Sequence, residues 1–121
     1  MNTVQIIDFK HTTCEPLTSV MEPARQIVGS PEQTLQNIYK NQSGELLSGS
    51  WSSDVGKWHI DYSNRHEFCY LTEGHIVLAD ESGTKTELKA GDAFVIPMGF
   101  KGTWEVIKPV KKHYVILMGH Q

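Results

Sequence analysis

A succession of short stretches in which apolar and polar residues alternate constrains the fold of this chain most strongly. GKWHIDYS, EFCYLTEG, AFVIPMG and HYVILMGH are examples, each about one strand long and bounded by turn residues. Successive side chains of a strand point to opposite faces, so these runs predict strands with one buried face. Their regular spacing, with a hairpin turn predicted at Glu81-Ser82-Gly83, indicates an all-β sandwich or barrel. Gly44 and further strand pattern follow SPEQTLQNIYK so soon that this segment also favours a strand over a helix.

The length of the chain, 121 residues, suits one domain with a single core. Within it we predict an extended N-terminal arm and edge strand over residues 1–33 and a barrel over residues 34–121. Arms with exposed strand edges often pair with a second subunit, so a homodimer is expected. The net charge of −3 argues against nucleic acid and anionic membranes as partners. The pair Lys111-Lys112 is interpreted as a solvated strand edge.

The N-terminal segment MNTVQIIDFKHTTCEP lacks the apolar stretch of a signal peptide, because Asp8 and Lys10 interrupt it. No stretch approaches the ~18 apolar residues of a membrane span, and a cytoplasmic location is therefore expected. Cys14 and Cys69 lie far apart without a CxxC spacing, which predicts neither a disulfide framework nor a zinc knuckle. Cys69, in the middle of an apolar strand pattern, is expected to be a small buried side chain.

Two segments of the central half carry a recognisable pattern. GKWHIDYSNRHEFCYLTEG, residues 56–74, resembles the first motif of the cupin superfamily, and GDAFVIPMG, residues 91–99, resembles the start of its second motif. The predicted hairpin lies between them, where the strands between the motifs belong. GTWEVIKPVKKHY narrows the resemblance to small single-domain cupins grouped with (S)-ureidoglycine aminohydrolase and the cupin of ethanolamine utilisation. The resemblance implies a double-stranded β-helix, or jelly-roll, barrel.

The histidine ligands of the usual cupin metal site are missing from their places. The two positions of the His-x-His pair, counted back from Glu67, hold Tyr62 and Ile60, or Ser63 and Asp61. The third histidine position, after the second motif, is occupied by glycine. A transition metal usually needs three or more well-placed protein ligands. The resemblance therefore implies a cupin whose common metal site has been lost or rebuilt, and no metal ligand is assigned.

Strand alternation predicts what lines the barrel instead. If Glu67 points inward, residues two positions away on its strand share its face. On the other two strands the resemblance sets the phase, because the positions that would hold the histidines, Ile60 with Tyr62 and Gly102, are taken to point inward. The predicted inward set is Trp58, Ile60, Tyr62, Glu67, Cys69, Leu71, Gly102, Trp104 and Val106. His59 and Asp61 would then point outward. An aromatic interior around one carboxylate is typical of a ligand pocket, although aromatic side chains also fill small barrels without any ligand.

Glu67 is the first candidate for a functional residue. A carboxylate inside an apolar barrel must be paired, hydrogen-bonded or protonated, and such a group can have a shifted pKa and act as general acid or base. Its candidate partners are a metal ion, a cationic ligand, Tyr62, or a cationic side chain such as His113, Lys101 or Arg65. A purely structural Glu67 is the alternative.

These observations predict a cupin with a degenerate metal site that binds a small polar metabolite. The candidate ligand-binding residues are Trp58, Tyr62, Glu67, Cys69, Trp104 and His113. A first alternative is a divalent-metal-dependent enzyme resembling ureidoglycine aminohydrolase. It would use a Glu67–His59–His113 site with Asp61 as a fourth ligand, and it requires a one-residue register shift that turns His59 inward. A second alternative is a scaffold for assembly without any ligand.

Overall fold

A computed structural model describes residues 3–119 of the chain. The described part forms nine strands and one short 3₁₀ helix, Pro23–Arg25, which lies between the first two strands. The strands are β1 (Leu17–Val20), β2 (Gln26–Val28), β3 (Glu32–Lys40), β4 (Leu46–Ser53), β5 (Gly56–Asp61), β6 (Arg65–Asp80), β7 (Lys85–Lys89), β8 (Ala93–Ile96) and β9 (Lys101–Met118). The all-β prediction is confirmed, including the strand preferred over a helix at β3.

The pairing of the strands is antiparallel throughout the described chain. One path runs in the order β1-β3-β4-β9-β5-β2, and β6 pairs with β7, β8 and β9 off this path. The C-terminal half of β9 lies between β4 and the first half of β6, whereas its N-terminal half lies between β5 and the second half of β6. The two long strands thus run through both halves of a curled sheet, which is the expected jelly-roll arrangement.

The pairing of the two long strands is irregular around one glycine of β6. Gly74, within β6, has φ +98°, and a Cβ there would lie 2.7 Å from Cα of Val110 and 2.9 Å from the carbonyl oxygen of Lys108 on β9. The β6–β9 register also shifts between Leu71 and Ile76. Since only glycine adopts this φ readily and permits so close an approach, Gly74 lets β6 cross from one half of the barrel to the other.

The core lies inside the barrel, and the predicted phase of three strands is confirmed. The inward residues of β5, β6 and β9 are buried, together with Tyr62 just after β5: Trp58, Ile60, Tyr62, Glu67, Cys69, Leu71, Trp104 and Val106. His59 and Asp61 are exposed, as expected for the opposite face. The predicted hairpin between β6 and β7 is also present, with Gly83 at φ +89° in its turn.

The predicted N-terminal arm contributes two edge strands to the barrel. β1 pairs with β3 at one edge, and β2 pairs with β5 at the other. Residues 3–16 precede these strands without forming a strand themselves. No helix among the described residues is long and apolar enough to cross a membrane. His120, which is expected to be solvated because it lies next to the last residue of the sequence, falls outside the described residues.

Candidate functional site

The centre of the candidate site is the carboxylate of Glu67, which is only 3% exposed. Glu67 lies on β6 between Ile96 of β8 and Ile116 of β9. Its Oε1 accepts a hydrogen bond of 2.5 Å from the Tyr62 hydroxyl, and its Oε2 accepts one of 2.7 Å from Nζ of Lys112. Each oxygen of the carboxylate therefore has a partner from the protein itself, which is how a buried charge is tolerated.

Lys112 supplies the positive charge of this cluster. Lys112 is only 6% exposed, and its ammonium lies 4.6 Å from the ring centroid of Trp51 and 4.5 Å from that of Trp104. Cations over indole rings are attracted by the ring quadrupole. Strand pairing brings these groups together, because Trp51 of β4 stands opposite Lys112 in the β4–β9 register. The ammonium is thus held by one carboxylate and two aromatic faces.

The electrostatics of the pair keep both groups charged at neutral pH. Burial alone would raise the pKa of Glu67, but the Lys112 ammonium and hydrogen bonds from Lys112, Tyr62 and Cys69 outweigh it, so this pKa is lowered. Burial alone would lower the pKa of Lys112, but the attraction of Glu67 outweighs it, so this pKa is raised. Burial raises the pKa of Tyr62 above its ordinary value and that of Cys69 to about 12. None of these four groups is therefore close to half-protonation at pH 7.

A cavity of about 460 Å³ opens above this cluster. Its aromatic wall is built from three tryptophans: Trp58 and Trp104 stack with centroids 6.3 Å apart, and Trp51 meets both edge to face. The aliphatic lining comes from Met21, Leu35, Leu47, Ile60 and Ile116. A cavity of this size, with an aromatic and aliphatic wall and several polar and charged side chains, has the character of a small-molecule site.

A second polar contact lies on the cavity wall next to the cluster. The Tyr114 hydroxyl donates a hydrogen bond of 2.6 Å to Oδ1 of Asn37, and both residues line the cavity. Burial, with a smaller contribution from the Glu67 charge, raises the pKa of Tyr114 to about 12. This phenol is therefore neutral at pH 7 and serves as a hydrogen-bonding group.

Four of the six predicted ligand-binding residues line the cavity, namely Trp58, Tyr62, Glu67 and Trp104. Cys69 lies beside Glu67 with no exposed surface, and it is not part of the cavity lining. His113 was placed wrongly by the sequence reasoning. It is exposed on the outer face of β9, where its Nδ1 lies 3.1 Å from the Ser50 hydroxyl, because it stands one position from the inward-facing Lys112.

The histidine-containing metal site is also wrong as an arrangement of this barrel. His59, Asp61 and His113 are exposed on the outer face, and the register shift that would turn His59 inward does not occur. Within residues 3–119 no group of three or more His, Cys, Asp or Glu side chains is placed to hold a metal ion. Moreover, the Lys112 ammonium lies beside Glu67 and would repel a divalent cation there. The residues around Glu67 do not fit a metal ion.

Lys112 is the functional candidate that the sequence reasoning missed. Tyr62 was correctly predicted as a partner of Glu67. The cationic partners named were His113, Lys101 and Arg65, and Lys112, which is the observed one, was assigned to the solvent. The available signal was strand alternation, since Val110, Lys112 and Tyr114 share the inward face of β9. The neighbouring Lys111 concealed it, because a pair of adjacent lysines suggests a solvated edge.

A jelly-roll barrel with polar groups and a cavity inside it is the architecture expected of a cupin. Residues 40–114 match the family model for the EutQ-like cupin domain, so the chain belongs to that family. A search of the curated proteins found no match. The more specific likeness to (S)-ureidoglycine aminohydrolase, suggested by the sequence motifs, stays a prediction.

Solved structures agree with this assignment at the level of the fold. A protein of unknown function from Pseudomonas syringae is 24% identical with a TM-score of 0.76 over 88% of this chain, and this chain spans only 45% of that protein. A protein of the same uncharacterised family from Thermotoga maritima is 34% identical over 54% of this chain and 73% of its own, with a TM-score of 0.51. An ethanolamine utilization protein Q from Salmonella typhimurium is 17% identical over 89% of this chain and 99% of its own, with a TM-score of 0.65.

Proposed function

We propose that this cupin binds a small polar metabolite in its barrel cavity and uses the Glu67–Lys112–Tyr62 cluster, without a metal ion, to fix the ligand's orientation. One observation carries this proposal: a buried carboxylate at the cavity floor is paired with an ammonium group at 2.7 Å. Such a pair presents fixed charges and dipoles to a bound molecule. The tryptophan wall supplies apolar contact and excludes water from the ligand.

The protonation states of the cluster favour binding over acid–base catalysis. A general acid or base works best with a pKa near the operating pH. The pKa of Glu67 is lowered, and the pKa values of Lys112 and Tyr62 are raised, so all three move away from neutrality. A catalytic role for Glu67 is therefore the weaker hypothesis, and an electrostatic role in binding is the one we propose.

Ligand binding is tested by a thermal-shift screen of small polar metabolites against wild-type protein and two matched variants. Leu35→Trp places a bulky ring in the cavity lining, whereas Val55→Trp adds the same ring at an exposed position outside it. A ligand at 100 times its Kd stabilises the folded state by about 2.7 kcal/mol. We expect hits that shift the Tm of wild type and Val55→Trp but not of Leu35→Trp. Hits unaffected by Leu35→Trp would show that binding occurs elsewhere, and a screen without any hit would favour a scaffold.

The metal-dependent alternative is tested on the same protein by elemental analysis after it has been offered Mn, Fe, Ni and Zn and then dialysed. We expect no stoichiometric metal, because the ammonium of Lys112 lies beside Glu67. About one metal per chain in wild type, lost in Glu67→Gln, would contradict the proposal. It would favour the enzyme alternative instead.

We further propose that the chain forms a homodimer through its arm. Apolar side chains of the arm are strongly exposed, among them Val4, Ile6 at 93%, Leu17 and Val20. Contiguous exposed apolar surface marks interaction sites. Light scattering should give the mass of two chains for wild type and of one chain for Ile6→Asp, whereas Val55→Asp, at an exposed position outside the arm, should stay dimeric. A monomeric wild type, or a dimer unaffected by Ile6→Asp, would overturn this proposal.

A further inference from the structure

The charges that line the cavity are strongly unbalanced. Four basic residues, Arg25, Lys40, Arg65 and Lys112, line it together with a single carboxylate, that of Glu67. The chain as a whole carries a net charge of −3. The residues that line the cavity thus carry a net positive charge on a negatively charged protein; Arg25 and Lys40 are exposed to solvent, whereas Arg65 is half-buried and Lys112 is buried. Concave sites with one sign of charge concentrate ligands of the opposite sign.

Only one of these four cations is paired with a carboxylate. Lys112 is neutralised by Glu67, but Arg25, Lys40 and Arg65 form no ion pair with any described residue. The Nε of Arg25 instead donates a hydrogen bond of 3.2 Å to a backbone carbonyl oxygen. After Lys112 has paired with Glu67, the other three basic residues of the cavity lining remain without a carboxylate partner among the described residues.

Arg65 is the most informative of the unpaired cations. Its guanidinium lies 4.3 Å from the centroid of the Tyr62 ring, and its Nε is shielded from solvent with no hydrogen-bond acceptor among the described residues. Asp61 is close enough to feel this charge, but the pKa of Asp61 is lowered chiefly by hydrogen bonds from Ser63, with smaller effects of Lys101 and Arg65. A planar guanidinium that has no carboxylate partner is suited to bidentate binding of a carboxylate.

Arg65 and Lys112 lie at the two ends of one connected cluster. The Tyr62 ring lies under the Arg65 guanidinium, its hydroxyl binds Glu67, and Glu67 binds Lys112. Because the chain's own carboxylate is already engaged, an incoming cation would find no free negative group in the cavity lining. An incoming anion would find the unpaired guanidinium on the same wall, with tryptophan rings nearby.

We infer that the ligand is a small organic carboxylate whose charged group is held by Arg65, with Lys112 behind it, and whose apolar or planar part lies against the tryptophan wall. This inference rests on the proposed binding function and specifies its ligand class. The same charge balance makes amines, which a lone buried Glu67 would favour, weaker ligands than carboxylates.

The test uses two series of compounds of matched shape and different charge: benzoate, benzamide and benzylamine, and hexanoate, hexanamide and hexylamine. Binding to wild-type protein is measured by isothermal titration calorimetry at low and high salt. We expect the carboxylate of each series to bind at least tenfold more tightly than its amide or amine. Its affinity should also fall as salt rises, because salt screens partly exposed charges.

Variants locate the charge that is responsible. Arg65→Gln should lose at least tenfold in carboxylate affinity, and Arg65→Lys, which keeps the charge without the planar fork, should lose less. Lys85→Gln makes the same change of charge at an exposed position on β7 away from the cavity and should change affinity less than twofold. Equal loss in Arg65→Gln and Lys85→Gln would overturn the assignment to Arg65.

The outcomes separate the two proposals. Binding of amides or amines as tight as that of carboxylates, still blocked by Leu35→Trp, would overturn the inference about charge and leave the binding function standing. The inference about charge would also be overturned, and the binding function would again stand, if none of the six compounds bound while a metabolite screen yielded cavity ligands without a carboxylate. Failure of both the series and the screen would count against the binding function itself.

Discussion

The buried pair of Lys112 and Glu67 allows a sharp prediction about stability. In Lys112→Met the carboxylate of Glu67 keeps the Tyr62 hydrogen bond but loses its only ion-pair partner among the described residues. Removing one partner of a buried pair costs about 3–5 kcal/mol, since it leaves an uncompensated charge. The loss of cation–π contact with Trp51 and Trp104 adds to this cost. The expected loss is therefore at least about 3 kcal/mol at pH 7.5, a large part of the stability of a typical domain.

The pH dependence of this loss has a definite sign. Without Lys112, burial raises the pKa of Glu67 above its unfolded value, so the variant gains stability as the pH falls from 7.5 towards 5. In wild type this pKa is lowered, and the contribution of Glu67 is constant until the pH falls below about 4.5. The difference between the two proteins should therefore shrink at lower pH. Glu67→Gln, which leaves the ammonium buried and unpaired, should show the opposite trend, with its loss shrinking as the pH rises towards 10.

Urea denaturation followed by circular dichroism measures these differences, provided that m is unchanged. The double variant Glu67→Gln/Lys112→Met serves as control. It contains no buried charge at this place, so it should be more stable than either single variant at pH 7.5. Single variants that each lose less than about 1 kcal/mol, without dependence on pH, would refute the reasoning, because such a result is typical of a solvated pair.

Three further predictions concern individual buried or closely packed residues. Tyr62→Phe removes the hydroxyl that donates to Glu67 at 2.5 Å and should cost about 1.5–3 kcal/mol in urea denaturation; an unchanged midpoint would contradict the hydrogen bond. Gly102→Ala should cost about 1–3 kcal/mol or more in the same assay, since its Cβ would overlap the backbone oxygen of Ala79; full stability would show that the strands separate easily there. Cys69, with no exposed surface and a pKa raised to about 12, should not react with a thiol reagent at pH 8 in a variant that keeps only this cysteine; rapid reaction without denaturant would contradict its burial.

Strand alternation was sufficient to predict the inward face of the barrel where one residue fixed the phase. Glu67 served this purpose for β6, whereas the motif positions Tyr62 and Gly102 served it for β5 and β9, and Trp58 and Trp104 are buried as predicted. Lys112 could not be found in this way without following the phase of β9 past Pro109. A bulge at a proline would reverse the two faces of the following segment. The structure keeps the phase there, and this places Lys112 inside.

Pairing over long sequence distances was the second limit. Trp51 stands opposite Lys112 although 61 positions separate them, and this register depends on how β4 aligns with β9. No local pattern encodes that alignment. The wrong placement of His113 has a different cause, since its chemistry suited a site with Glu67 but its position on the strand, next to the inward-facing Lys112, did not.

An ammonium group in the place where a metal ion would lie changes what such a barrel can do. A divalent metal beside Glu67 would attract anionic ligands and also activate a bound water or polarise a carbonyl group as a Lewis acid. The Lys112 ammonium retains part of the positive charge, but its pKa is raised, so it holds its proton and has no vacant coordination position. A cavity with this group can attract and orient an anion but has no comparable means of activating water. This difference is the physical reason for proposing binding of a carboxylate rather than metal-dependent hydrolysis.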